Sequence, residues 1–129
     1  MSVQPPEFAA GAARIDGRSA FTAAVRRALS QAASERAREL CLVDPDFEAW
    51  PLEDPQVLSA LTAWARLPKR QLLVIAGRFD DLPRRCPRFT EWRRNWAHVV
   101  ECRATEVESS QIPTLLLAGA QSLQLADRK

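Results

Sequence analysis

Apolar residues first recur at helical spacing, with Phe21, Val25, Ala28, Leu29 and Ala32 on one side and Arg26, Arg27 and Gln31 on the other. The pattern predicts an amphipathic helix running to about Glu39. Asp16 is its expected N-cap, since a short carboxylate accepts bonds from the free amides of a first helical turn. Leu40-Cys41-Leu42-Val43 then forms a continuous apolar run that stops at Asp44-Pro45-Asp46, which reads as a central strand covered on both faces. A second helix is expected from Pro55, capped by Asp54, with Val57, Leu58, Leu61 and Trp64 on its buried stripe and an end at Leu67-Pro68.

Gln71 to Ala76 repeats the apolar strand pattern and stops at Gly77. A loop from Arg78 to Pro87 leads to a third helix, on which Phe89, Trp92 and Trp96 share a face, and His98 to Arg103 reads as a third strand. Thr114 to Ala118 and Ser122 to Ala126 flank a short glycine-containing link, the signal of a hairpin. Together these elements predict a single α/β domain at residues 15–129. Its sheet should be mixed, mostly parallel and of about five strands, with right-handed crossovers, helices on both faces and a C-terminal hairpin. Residues 1–14 are expected to be a flexible leader.

Composition narrows the function classes. With 129 residues and 47% hydrophobic content, the chain can bury one core without metals or disulfides. The formal net charge of +2 is too small to imply a nucleic-acid or membrane partner by itself. The basic residues are 16 arginines and two lysines, a bias that alanine-rich, arginine-rich codon usage explains as readily as guanidinium chemistry. Three cysteines, Cys41, Cys86 and Cys102, contain no C-x-x-C and cannot all pair within one chain, which points to a reduced, cytoplasmic setting. The N-terminus lacks the basic and apolar regions of a secretory signal, and no run approaches the roughly 18 apolar residues of a spanning helix, so no membrane association is expected.

The order of a long helix, a strand Glu39-Leu40-Cys41-Leu42-Val43-Asp44-Pro45-Asp46, a helix, a strand Gln71-Leu72-Leu73-Val74-Ile75 and a further helix-strand pair resembles one half of a phospholipase D-like domain. Small bacterial domains of that type are similar, and the resemblance spans roughly Arg14 to Lys129. It implies the fold. The family's activity depends on a histidine nucleophile, a lysine two residues later and an aspartate further on. Here Val100 stands two residues after His98, the only histidine, and the segment from Ser122 to Ala126 contains neither histidine nor lysine before Asp127.

Two segments carry candidate chemistry. Asp44-Pro45-Asp46 at a strand end resembles an aspartyl-phosphate nucleophile motif, in which one carboxylate attacks phosphorus, the second handles the proton and Mg²⁺ neutralises charge. Asp44 and Asp46 are thus the candidate metal ligands, and Glu48, Glu53 and Asp54 add to the acidic stretch. The plainer reading is a solvated turn, because the supporting Ser, Thr or paired acids at later strand ends are missing. From Arg66 to Arg94, nine basic residues face three acidic ones and alternate with Phe79, Phe89, Trp92 and Trp96, a composition able to bind single-stranded nucleic acid or another anion. Arg78, Arg84, Arg85, Arg88, Arg93 and Arg94 are the candidate binding residues. The plainer reading makes the aromatics core anchors and the arginines a solvated face. Cys86 lies among arginines that favour thiolate, although no base or resolving thiol is nearby.

The leading expectation is a non-catalytic interaction or assembly module without cofactors, a homodimer or partner of another protein. Nucleic-acid or anion binding through the basic segment and an Asp44-centred phosphotransferase are the alternatives. Self-association is expected because the hairpin segments, as a sheet edge, would need covering, with Trp96 or the hairpin as the contact.

Overall fold

The computed structural model describes residues 13–126. Six strands, β1 (Ala13–Ile15), β2 (Glu39–Asp44), β3 (Gln71–Ala76), β4 (Val100–Ala104), β5 (Leu115–Ala118) and β6 (Gln121–Leu125), form one mixed sheet in the order β1-β6-β5-β2-β3-β4. The helices are α1 (Arg18–Ser34), α2 (Pro55–Ala65), α3 (Leu82–Arg85) and α4 (Pro87–Asn95). β2 pairs parallel with β3, β3 with β4 and β1 with β6, whereas β5 runs antiparallel to both β2 and β6. The single α/β domain and its C-terminal hairpin are as expected. The sheet has six strands rather than about five, because Ala13 and Arg14, expected in the leader, begin a short strand on β6. The remainder of the expected leader, residues 1–12, lies outside the described residues.

Strand alternation divides the sheet into two unlike faces. Leu40 and Leu42 of β2, Leu72, Val74 and Ala76 of β3, Leu116 and Ala118 of β5, and Leu125 of β6 join one core cluster with the buried residues of the helices, including Val25, Leu29, Leu61, Trp64, Leu82 and Phe89. Ile15, Val100, Cys102 and Leu123 pack on the same side. All four helices thus contribute to a core on one face, and the expectation of helices on both faces is corrected. The continuous apolar strands imply coverage on both sides; among the described residues no helix packs on the second apolar face.

Helix boundaries have local causes. Gly17 with φ 89° is the N-cap of α1, a conformation that L side chains rarely adopt, and Asp16 is not the cap. α1 ends at Ser34, short of Glu39, because Arg36 takes the left-handed conformation (φ 56°) and the chain closes with bonds from Ala37 N to Ala32 O (2.9 Å) and Arg36 N to Ala33 O (3.1 Å). Asp54 caps α2 as expected, its side chain accepting from the Gln56 amide at 2.9 Å. The expected third helix is α4, and the segment expected as a loop before it contains the short helix α3, separated from α4 at Cys86 because Pro87 disfavours helical backbone in the residue before it.

Trp64 anchors the layers: it is fully buried and donates from Nε1 to the carbonyl of Ala37 at 2.7 Å, tying α2 to the link between α1 and β2. Trp92 does the same between α4 and α2, donating to Thr62 Oγ1 at 2.9 Å. Arg70 is buried with its guanidinium 5.7 Å from the Trp64 ring, so one arginine of the basic segment has a structural role. Trp64→Phe should destabilise the fold by about 1 kcal/mol through the lost hydrogen bond, and Trp64→Ala by about 3–5 kcal/mol. Urea unfolding of both variants checks the order, and equal losses would contradict the anchoring role of the indole nitrogen.

Candidate functional site

The parallel strands β2 and β3 deliver their C-terminal ends to one rim of the sheet, where α/β domains commonly place ligands. Asp44 occupies this position and is buried. Its Oδ2 accepts from the amides of Asp46 (3.1 Å) and Phe47 (2.7 Å), and its Oδ1 accepts from the Thr114 hydroxyl. Phe47 has φ 61° and is buried, so the carboxylate holds a tight left-handed turn that inserts an aromatic ring into the core. The Pro45 carbonyl accepts from Gly77 N and Arg78 N at 3.0 and 3.1 Å, joining the loops after β2 and β3.

The other carboxylates of the stretch diverge. Asp46 accepts from the Glu48 amide at 3.1 Å and faces Arg85 at 3.8 Å. Glu53 accepts from the amides of Arg88 (3.0 Å) and Phe89 (3.4 Å), serving the first turn of α4 from a distant loop. Asp54 bonds Arg26 at 2.7 Å, and the Gln56 amide followed by that guanidinium holds its carboxyl below the usual carboxylate range. Among the described residues no group of three or more His, Cys, Asp or Glu is placed to hold a metal ion. Asp44, Asp46, Trp50 and Thr114 do line a cavity of about 260 Å³, with Trp50 packed edge-on against Phe21 and Phe47.

Five of the six candidate arginines face carboxylates. Arg78 lies 3.8 Å from Asp80, Arg84 lies 2.8 Å from Asp81, Arg85 lies 3.7 Å from Asp81, Arg88 lies 3.8 Å from Glu53, and Arg94 lies 4.0 Å from Glu91. Exposed pairs of this kind stabilise by at most about 1 kcal/mol each, and only Glu53 and Asp46 come from outside the segment, so its excess of positive charge falls from six to four. Arg93 lies beside Cys102. Phe89 and Trp92 are buried in the core, and Phe79 and Trp96 are partly buried against it. His98 is exposed and stacks on Trp96 with ring centroids 5.7 Å apart.

Cys86 is buried at the start of α4, and burial followed by the Glu53 charge pushes its thiol up against the opposing pull of Arg85. The arginine-rich sequence around it therefore does not produce a thiolate. Burial likewise raises Cys102, with Arg93 opposing, and raises Cys41 to about 11.

The structural feature without a counterpart in the sequence reading is a sheet face on which no helix packs among the described residues. Register places Cys41 and Val43 of β2 beside Leu73 and Ile75 of β3 and Leu117 of β5, all on the side opposite the helices. Each is partly exposed and none belongs to the core cluster. Leu115 shares this face but is buried. Glu39, Gln71, Ser122, Gln124, Arg14, Glu101 and Arg103 supply a polar surround. A groove of about 520 Å³ crosses it between β2 and β5, lined in part by Cys41, Leu117 and Ser122. The apolar strand residues signal this platform only once their pairing and the one-sided helix layer are known.

β5 and β6 are interior strands, and the sheet edges are β1 and β4. The hairpin therefore does not form the open edge from which a dimer contact was expected. No helix among the described residues is long and apolar enough to cross a membrane. Comparison with protein-family models, with curated proteins and with solved structures finds no match.

Asp44→Ala should destabilise the domain by roughly 1–3 kcal/mol, because it orphans the Phe47 amide and the Thr114 hydroxyl together. Thr114→Val should cost less, and the double variant should fall short of the sum because the two residues share one bond. Chemical denaturation of the three variants checks this. A neutral Asp44→Ala would remove the structural assignment.

Proposed function

We propose that this domain is a non-catalytic interaction or assembly module whose working surface is the open apolar face of the sheet. The single observation that carries the reading is the row of Cys41, Val43, Leu73, Ile75 and Leu117, partly exposed and outside the core. Contiguous apolar surface of this kind, bordered by polar residues, marks sites of protein association. A homodimer or another protein is the proposed partner, and the cytoplasm is the proposed setting. A phospholipase D-like ancestry fits a domain that lacks the family's histidine-lysine pair, with β6 carrying neither residue.

The two alternatives have less support. A carboxylate nucleophile needs a free oxygen and a metal partner, whereas Asp44 is engaged by three donors within its own domain. Nucleic-acid binding needs several unpaired cations on one face, and Arg78, Arg84, Arg85, Arg88 and Arg94 each have a carboxylate nearby.

Two measurements test the proposal. In dilute solution Leu72→Ala, on the helix side, should cost about 2–5 kcal/mol, while its neighbour Leu73→Ala should cost under about 1 kcal/mol. Equal losses would mean that the chain covers both faces itself. Assays on generic phosphoesters with Mg²⁺ or Mn²⁺ should show no turnover; turnover abolished by Asp44→Asn would replace this reading with the phosphotransferase.

A further inference from the structure

The open face has an internal pairing that commits it to one occupant. It carries two parallel rows of side chains running across the strands. The first row is Ser122, Leu117, Cys41, Leu73 and Glu101; the second is Gln124, Leu115, Val43, Ile75 and Arg103. Each position of one row is matched, one alternation further along, by a position of similar character in the other: polar with polar, apolar with apolar, and at the β4 end an acid with a base. Glu101 and Arg103 contact each other within the chain at 2.5 Å and are both partly exposed there.

We infer that the occupant is a second copy of this chain, packed face to face about a twofold axis that crosses the strands at the level of Leu42 and Val74. This inference rests on the interaction reading above and names its partner. A rotation about that axis exchanges the two rows. Leu73 then lies over Ile75 of the second copy, Cys41 over Val43, and Glu101 over Arg103, with every contact made twice as an isologous interface requires. A sheet face is suited to this, since two sheets stack about 10 Å apart with interdigitating side chains.

Charge supports the register. The other face-to-face twofold, with its axis along β2, would place Glu101 over Ser122 and Arg103 over Gln124, so only the crossed arrangement gives each charge a partner of opposite sign. The size also fits. Five strands at about 4.8 Å and about five residues at about 3.3 Å make a platform near 24 by 17 Å. That is about 400 Å² in projection per copy, or about 800 Å² for the pair, the size of a weak, concentration-dependent interface. The central apolar patch and the polar surround follow the usual division between interface core and rim.

The test uses the full chain in sedimentation velocity over a concentration series. The wild type should dimerise, and Leu73→Glu should weaken the dimer at least about 100-fold while leaving circular dichroism unchanged, because a buried unpaired carboxylate in the centre is costly. Glu101→Arg and Arg103→Glu should each weaken self-association about tenfold or more. An equimolar mixture of these two single variants should form a heterodimer more readily than either forms a homodimer, because every crossed pair is then of opposite sign. The internal Glu101-Arg103 contact alone cannot produce that result.

A monomer at all concentrations would overturn the second-copy assignment. If Leu73→Ala is then still nearly neutral to stability, the interaction surface remains and belongs to a different partner. If Leu73→Ala is as destabilising as Leu72→Ala, the face is covered by the chain's own residues and both readings fall. A dimer indifferent to Leu73→Glu, as in edge-to-edge pairing through β4, or a mixture with no preference for the heterodimer, would overturn the proposed register.

Discussion

The register of β2 against β3 governs the whole arrangement. Six consecutive pairings, from Glu39 with Gln71 to Asp44 with Ala76, fix which side chains point to each face. A slip of one residue in β3 would send Leu73 and Ile75 into the helix layer and eject Leu72 and Val74. Such a slip is resisted by more than the size of side chains. Trp64 and Leu61 fill the helix side, and the Pro45 carbonyl at the end of β2 receives two amides from the end of β3. The face opposite the helices is a consequence of this register and of helices that, among the described residues, all pack on one side.

The same register places Asp44 at the rim, pointing to the core side. A carboxylate in that position must be satisfied, because an unpaired buried charge is costly. The turn after β2 satisfies it with two amides, and the start of β5 contributes Thr114. The motif that most suggested chemistry thereby becomes the joint between three strands. Glu53 shows a parallel economy, reaching from the loop before α2 to the first amides of α4 and placing the short helices over the sheet.

The positions of α1, α2 and five of the strands follow from the sequence pattern, as the apolar spacing of Phe21 to Ala32 and the runs at Leu40 and Gln71 show. Residues whose role depends on distant partners were less legible. β1 is three residues long and exists because β6 offers it an edge, which no local pattern announces. The end of α1 was misplaced because its left-handed closing residue is Arg36, where glycine is the usual signal. Cys86 looked electropositive in sequence, but the fold buries it and brings Glu53 near. Continuous hydrophobicity in β2 and β3 indicated two apolar faces correctly; whether helices or another molecule cover the second is a property of tertiary structure, not of the strand sequence.

The central claim is that one apolar face belongs to the core and the other is reserved for association. Methyl-resolved NMR with a soluble paramagnetic probe, recorded at low and high protein concentration, tests it directly. The account predicts that methyls of Val43, Leu73 and Ile75 are strongly relaxed in dilute protein and protected as concentration rises, while those of Leu42, Leu72 and Val74 are protected throughout. Protection of Val43, Leu73 and Ile75 at every dilution would contradict it, because the face would then be closed by the chain itself.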